Sequence, residues 1–288
     1  MRAARYRRQW RDHVSLSSHL HPMTLAILSA LPEEQSGLSD LLSQREWLTH
    51  AGRRFITGVM GDQRVVLALS GIGKVAAATT ATALIERFGV QRMVFTGVAG
   101  GVGTGLQVGD VVLGSHYVQH DMDASPLFPR FEVPLYGVAH FTGDAQLLAA
   151  LSIAAHAYAA GPGSVRSGDA LDAETPAPAG REKRFAVHTG LIASGDRFVS
   201  SALEAQALCA ALPQALCVEM EGAAVAQVCH DYAVPFAAVR TISDRADDSA
   251  HVDFPAFVRD VAGPYAVGIL RLWLAASSAA LRLTGKPE

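Results

Sequence analysis

The chain has 288 residues, 50% of them hydrophobic and 18% charged, so it can bury a sizeable core as one large α/β domain or two smaller ones. Its formal net charge of −3 argues against a nucleic-acid binder, which normally presents a basic face. The three cysteines form no CxxC pair, which indicates reduced thiols and a cytoplasmic protein.

The first 22 residues differ in composition from the remainder. They contain five arginines and a single acidic residue, Asp12, without the apolar segment of a secretory signal. Such a start fits a transit peptide, a mobile tail, or translation that begins at Met23, where a folded pattern starts. We expect a basic tail over residues 1–22, disordered or outside the native start, and one domain over residues 23–288.

The first folded elements are predicted from apolar runs and turn residues. Thr24–Ala30 has the pattern of a strand, and a helix is expected from about Glu33. Arg54–Met60 and Arg64–Leu69 predict a hairpin around Gly61-Asp62. These residues therefore predict the start of an α/β fold.

The loop Ser70-Gly-Ile-Gly-Lys74 precedes an Ala/Thr-rich helix that is expected to end near Phe88. With Ala76 its glycines match the dinucleotide pattern G-x-G-x-x-A, but no acidic residue follows at the distance needed to hold a ribose. The spacing also differs from that of a P-loop. We interpret the loop as a tight strand-to-helix turn.

Two further predicted strands are followed by residues of chemical interest. Arg92–Thr96 leads into the glycine-rich stretch 97–103, which is either a flexible turn or a place where a ligand approaches the backbone closely. Asp110–Tyr117 leads into His120-Asp-Met-Asp123, whose spacing is not specific for a metal ion. No metal site is predicted.

The second half of the chain alternates helix and strand signals. Gly143–Ala160 is helical by composition, Gly161–Gly180 is expected to be a surface loop, and Phe185–Ala193 is a predicted strand. An amphipathic helix is expected from about Pro255. Its apolar segment Ala266–Leu283 contains two arginines, which favours a core-facing helix over a membrane span.

The stretch from Leu216 to Asp248 predicts a strand, a helix closed by Pro235, and a buried strand over Phe236–Ile242. Glu219 and Glu221 end the first apolar run, and Asp244 ends the second. Because open α/β sheets bind ligands at the carboxyl ends of their strands, we expect these carboxylates to face one crevice.

Five motifs, in this order along the chain, resemble the 5′-methylthioadenosine/S-adenosylhomocysteine nucleosidases of the nucleoside phosphorylase superfamily. They are Ala30-Leu-Pro-Glu-Glu34, Ser70-Gly-Ile-Gly-Lys74, Ser194-Gly-Asp-Arg-Phe198, Val218-Glu-Met-Glu221 and Ile242-Ser-Asp244. The resemblance covers roughly residues 24–274. It implies a single α/β domain with three α/β/α layers around a mixed twisted sheet, and hydrolysis of the bond between adenine N9 and ribose C1′.

The resemblance also implies roles for individual residues. Asp244 would protonate adenine N7, Glu34 would activate water, and Glu221 would accept hydrogen bonds from the ribose 2′ and 3′ hydroxyls. The implied substrate contacts are Met220 against the ribose, Phe198 on the adenine, the backbone of Val199 at the base edge, Ser243 orienting Asp244, and Ala99 with Gly100 in the glycine-rich stretch. No cofactor is implied, and a homodimer is expected.

Three other functions compete with this interpretation. A phosphorylase of the same superfamily would need cations around a buried phosphate, and the glycine-rich stretch contains none, while Arg240 is expected in a structural ion pair. A nucleosidase for larger 5′ substituents, such as a futalosine hydrolase, is the second. A non-catalytic nucleoside-binding protein is the third, and the presence of Glu34, Glu221 and Asp244 together argues against it.

Overall fold

The computed structural model describes residues 23–161, 185–246 and 254–284. The strands are β1 (Thr24–Ser29), β2 (Ser43–His50), β3 (Arg53–Met60), β4 (Gln63–Leu69), β5 (Arg92–Gly101), β6 (Val111–Gln119), β7 (His140–Thr142), β8 (Val187–Ser194), β9 (Ala215–Glu219) and β10 (Phe236–Asp244). The helices are α1 (Lys74–Phe88), α2 (Ala145–Ala160), α3 (Ala202–Ala211), α4 (Gly222–Asp231), α5 (Phe254–Phe257) and α6 (Gly263–Thr284), with a π-helical turn, Val258–Ala262, joining the last two.

All ten described strands belong to one mixed sheet in the order β10-β6-β8-β9-β5-β1-β4-β3-β2, with β7 beside β6 and a further pairing between β10 and β5. β1 is parallel to β4 and β5, and β10 is parallel to β5. Gly100 of β5 pairs with Asp244 of β10 and also with Val218 of β9. The end of β5 therefore lies beside the ends of both β9 and β10, the strands whose last residues are Glu219 and Asp244.

Helices cover both faces of the sheet, which confirms the expected three-layer α/β domain. Along β1, Ala26 and Leu28 pack into one core with α1 and α4, whereas Leu25 and Ile27 pack into a second core with α2 and α6. This alternation follows from the two-residue period of a strand. A smaller apolar cluster joins α3 to β8 and β9.

Most of the predicted elements are confirmed, including the hairpin of β3 and β4, the helix that ends at Phe88, and the strand-helix-strand unit of β9, α4 and β10. The helix expected from Glu33 is wrong. Residues Glu33–Gln35 form only one 3-10 turn, because Glu34 turns its carboxylate back onto the preceding backbone and Gly37 has a φ of 82°. A second 3-10 turn, Ser39–Leu41, then leads to β2.

Other elements were not predicted. β2 is exposed along its whole length and lacks the apolar alternation of a half-buried strand. α3 begins after Ser201, whose side chain accepts a hydrogen bond from the Glu204 N–H, so a capping-box signal was present in the sequence. The C-terminal helix widens into a π-turn just before Pro264, which cannot donate a backbone hydrogen bond.

Some predictions lie outside the described residues. They are the basic tail over residues 1–22 and nearly all of the surface loop from Gly161 to Gly180. No helix in the described part of the chain combines the length and apolar character needed to cross a membrane.

The buried hydroxyl of Tyr117 provides a test of the packing beneath the site. It donates to the Gly114 carbonyl at 2.9 Å and accepts from the Ala238 N–H of β10 at 2.7 Å. Tyr117→Phe removes both of these buried hydrogen bonds to the backbone, so thermal or denaturant unfolding should show a loss of about 1–3 kcal/mol in the free energy of unfolding. The control is Tyr136→Phe, which removes an exposed hydrogen bond to Asp231. An equal loss in both variants would contradict this account.

Candidate active site

One cavity of about 160 Å³ lies where β1, β5, β9 and β10 end. All nine residues predicted from the sequence line it, namely Glu34, Ala99, Gly100, Phe198, Val199, Met220, Glu221, Ser243 and Asp244. They come from five separate segments of the chain, so the fold rather than the sequence spacing brings them together.

Glu34 is buried in the turn after β1, and its carboxylate is held by backbone amides. Oε2 accepts the N–H groups of Ala30 at 2.7 Å and Leu31 at 2.9 Å, and Oε1 accepts that of Val98 at 3.0 Å. Burial raises the pKa of Glu34, although the positive charge of Arg240 and the three amides act to lower it. The three hydrogen bonds therefore fix the orientation of the carboxyl group.

The glycine-rich stretch is not a flexible turn over its first half, because β5 continues through Gly101. A Cβ on Gly97 would lie 2.7 Å from Oε1 of Glu34, and a Cβ on Gly100 would lie 3.0 Å from Oδ1 of Asp244. The two glycines thus make room for two carboxylates against the same strand. Ala99 and Gly100 line the cavity between them.

Asp244 ends β10 after a bulge that follows Ile242. Its Oδ2 accepts the Ser243 hydroxyl at 2.7 Å, and its Oδ1 accepts the Ala246 N–H at 2.7 Å. Only 8% of the residue is exposed. Ser243 and Ala246 therefore fix the orientation of a carboxyl group that borders the cavity.

Arg240 and Glu219 form a fully buried ion pair, with Nη2 and Oε2 2.7 Å apart. This confirms the expected structural ion pair of Arg240. Glu219 also accepts the Gly222 N–H at 2.8 and 2.9 Å, together with the Ser194 hydroxyl. It borders the cavity, but its oxygens hold the turn that carries Glu221.

Glu221 lies just before α4 and is nearly buried. Its Oε1 accepts the Gly73 N–H at 2.7 Å, and no described residue donates to Oε2. Burial, reinforced by the negative charge of Glu219, raises the pKa of Glu221 to about 8. One oxygen is thus anchored to the loop before α1, while the other is available to a ligand.

The remaining predicted residues form the apolar side of the cavity. Phe198 is 48% exposed, so its ring is accessible, whereas Val199 is buried and Met220 is partly buried. Sequence reasoning assigned no role to several other lining residues, among them Leu31, Ile72, Arg197 and Phe254. Leu31, Ile72 and Arg197 lie inside the recognised motifs, so the motifs could have identified them.

The loop before α1 and the segment after β6 are joined by polar contacts. The amides of Gly73 and Lys74 donate to Glu221 and Asp196. Asp121 pairs with Lys74 at 2.6 Å. Within the described ranges no three His, Cys, Asp or Glu side chains are grouped as metal ligands.

Comparison with known proteins identifies related chains. A family model described as the phosphorylase superfamily matches residues 24–271. A 5′-methylthioadenosine/S-adenosylhomocysteine nucleosidase of Shewanella denitrificans is 34% identical over 236 residues, or 82% of this chain and 92% of that protein. The crystal structure of such a nucleosidase from Neisseria meningitidis in complex with methylthio-immucillin-A is similar with a TM-score of 0.76 at 32% identity, covering 88% of this chain and 99% of that one. A futalosine hydrolase of Helicobacter pylori has a TM-score of 0.75 at 30% identity, covering 88% and 98%.

The raised pKa of Glu221 makes stability depend on pH. A carboxyl group whose pKa is higher in the folded protein stabilises the fold fully below its unfolded-state pKa and loses this contribution as pH rises through the folded value. For Glu221 the loss extends from about pH 4.5 to about pH 8. The melting temperature of Glu221→Gln, minus that of the wild type, should therefore increase across this range in ligand-free protein. Glu46→Gln, at an exposed glutamate of β2, is the control for loss of one charge. A difference that is constant with pH would contradict the prediction.

Proposed function

This chain belongs to the 5′-methylthioadenosine/S-adenosylhomocysteine nucleosidase family of the phosphorylase superfamily, and we propose that its cavity hydrolyses the N-glycosidic bond of both nucleosides, releasing adenine and the 5′-thio-ribose product. The observation that carries the proposal is the convergence of Glu34, Glu221 and Asp244 on one cavity beside an accessible aromatic ring. Each carboxyl group has a different set of hydrogen bonds, so each can perform a different task.

We assign leaving-group protonation to Asp244. Adenine is a poor leaving group as an anion, and a proton delivered to N7 lets it depart as the neutral base. Ser243 and the Ala246 amide hold the carboxyl group at the cavity edge, which supports this role. Phe198 would stack on the adenine, and the backbone of Val199 would meet the base edge.

We assign water activation to Glu34. Oε1 accepts a single N–H from the described residues, so it retains a lone pair that can take a proton from water. Its negative charge would also stabilise the positive charge that develops on the ribose as the glycosidic bond breaks. An acid on one side of the scissile bond and a base on the other follows the logic of inverting glycoside hydrolysis.

We assign ribose binding to Glu221 and Met220. The free Oε2 of Glu221 would accept hydrogen bonds from the vicinal hydroxyls, while Oε1 stays on the Gly73 amide. Positive charge on the reacting sugar would favour the ionised form of Glu221, against the burial that disfavours it. This interaction strengthens toward the transition state, as catalysis requires.

The charge around the cavity supports hydrolysis over phosphorolysis. Arg197 is the sole cation among the described lining residues, and its side chain is 71% exposed and pairs with Glu204. Arg240 is committed to Glu219. A phosphate ion would have no unpaired cation in the described part of the cavity, and burying an unpaired charge is very costly.

The quaternary state, the location and the domain boundary are also proposals. We propose a homodimer whose partner covers the cavity mouth at Ile72, because this residue is 59% exposed and the neighbouring Val75 is 77% exposed. A cytoplasmic location is supported by three free cysteines. A family match that begins at residue 24 supports a nucleosidase domain that excludes residues 1–22.

Substitution of each carboxyl group separates the three roles. Asp244→Asn cannot deliver a proton, so turnover of methylthioadenosine should fall about 10²-fold or more while adenine binding survives. Glu34→Gln should lower turnover by a similar factor and spare adenine binding. Glu221→Gln should weaken both nucleoside binding and turnover, since it loses charge-assisted bonds to the diol. Steady-state kinetics and adenine titration measure these effects.

The control for this series is Glu33→Gln, which changes an exposed glutamate in the same turn as Glu34 and should leave the kinetics unaltered. Near-wild-type turnover in Asp244→Asn would overturn the assignment of the acid. The same assay with futalosine-type nucleosides tests the second candidate function, which is the activity named for one similar Helicobacter pylori structure. A preference for them over methylthioadenosine and adenosylhomocysteine would replace the proposed substrate.

A further inference from the structure

Outside the cavity, five polar side chains connect four elements that surround it. We call this group the Lys74 clamp, and its members are Lys74, Gln119, Asp121, Asp196 and Gln227. The ammonium group of Lys74 donates to Oδ1 of Asp121 at 2.6 Å and to Oε1 of Gln119 at 3.1 Å. None of the five lines the cavity. Their influence on a bound nucleoside must therefore act through other residues.

Part of the clamp is a closed ring of hydrogen bonds. Oδ2 of Asp121 accepts the Asp196 N–H at 2.9 Å, and Oδ1 of Asp196 accepts the Lys74 N–H at 2.6 Å. Lys74 is thus bound to this ring through both its side chain and its backbone. Asp196 lies two residues before Phe198, so the ring fixes the start of the segment proposed to hold the base.

The clamp also reaches the residue proposed to hold the ribose. Gly73, next to Lys74, donates its N–H to Glu221. On the other side, Gln119 donates to Oε1 of Gln227 at 2.7 Å, and Gln227 belongs to α4, which begins directly after Glu221. Glu221 is therefore connected to Lys74 in two ways. One runs through the neighbouring Gly73 amide, and the other runs through Gln119 and Gln227 to the helix that follows Glu221.

The positive charge of Lys74 offsets the negative charges of the neighbouring Asp121 and Asp196. Asp196 accepts the Lys74 N–H at the start of α1, whose dipole attracts anions, and Asp121 accepts the Asp196 N–H. These two neighbouring carboxylates would repel each other without a positive charge. Lys74 is only 16% exposed in its side chain, so solvent screens its attraction to Asp121 less than in a surface pair.

The titration of Asp121 agrees with this geometry. Burial acts to raise the pKa of Asp121, but the hydrogen bond from Lys74, the Asp196 amide and the charge of Lys74 together lower it. The ionised form of Asp121 is the one that the clamp stabilises. The ion pair is therefore maintained at neutral pH.

We propose that Lys74 is a positioning residue for the reaction, holding the Phe198 segment and the Glu221 carboxylate at the separation that one bound nucleoside requires. The inference rests on the proposed function, because it uses the roles assigned there to Phe198 and Glu221. It adds a residue that touches neither substrate nor reacting atoms and that acts through Asp121 and Asp196.

The test compares Lys74→Met, Lys74→Arg, Asp121→Asn and the double variant Lys74→Met/Asp121→Asn in the full-length protein. We measure kcat and KM for methylthioadenosine, the Kd for adenine and the melting temperature. The control is His188→Gln, which alters a partly buried hydrogen bond with Asp110, at 3.2 Å, between residues that do not line the cavity. The control should alter the melting temperature alone.

Lys74→Met should lower kcat/KM about tenfold or more, mainly through KM, because a charge-assisted hydrogen bond is lost. Adenine binding should weaken by a comparable factor, and Lys74→Arg should recover most of both losses. The double variant should have the same kcat/KM and adenine affinity as Lys74→Met, because both substitutions break the same Lys74–Asp121 ion pair.

Two results would overturn the proposal while leaving the function intact. One is an active wild type whose Lys74→Met variant keeps its KM and its adenine affinity. The other is a double variant whose losses are the sum of the single losses. A wild type that releases no adenine in this assay would instead overturn the proposed function, and the positioning role with it.

Discussion

The buried charge of Arg240 is the constraint on which the site depends. Its side chain is among the largest that are fully buried, and it connects three strands by bonding to Glu219 of β9 and to the Phe95 carbonyl of β5, at 3.2 Å, from its place on β10. Its guanidinium group also lies 4.2 Å from the centre of the Phe95 ring. Removing one partner of a buried ion pair lowers the free energy of unfolding by several kcal/mol, so Arg240 and Glu219 stabilise the fold only together.

Arg240 also affects the ionisation of two carboxyl groups that line the cavity. Its positive charge acts to lower the pKa of both Glu34 and Glu221, against the burial that raises them. The site gathers acidic groups in a small volume, and Arg240 partly offsets their mutual repulsion. The glycine-rich end of β5 completes this arrangement, because the missing side chains of Gly97 and Gly100 leave space for Glu34 and Asp244.

Local sequence signals predicted the elements that carry the site but not the pairings between them. Apolar runs with turn residues gave β1, β3, β4, β9 and β10 close to their observed bounds. The strand was predicted to end at Thr96, and the glycine-rich stretch after it was interpreted as either a flexible turn or a place where a ligand approaches the backbone closely. It is a strand here because β10 and β9 both pair with it, and such long-range partners leave no local pattern.

In the candidate site, too, the sequence predicted which residues take part but not the long-range contacts between them. The family resemblance identified the nine lining residues, of which Ala99, Gly100 and Val199 lie outside the five motifs. It could not show that Glu219 is committed to Arg240, because that bond spans 21 residues and forms only in the folded protein. The Lys74 clamp was missed for a similar reason, since Lys74 and Asp121 are 47 residues apart.

The central claim is that water, and not phosphate, attacks the sugar in this cavity. Adenine release from methylthioadenosine, followed in phosphate-free buffer and again with added phosphate, tests it most directly. The account predicts full activity without phosphate, no stimulation on adding it, and a free reducing sugar as the second product. Activity that requires phosphate and yields a sugar 1-phosphate would contradict the account.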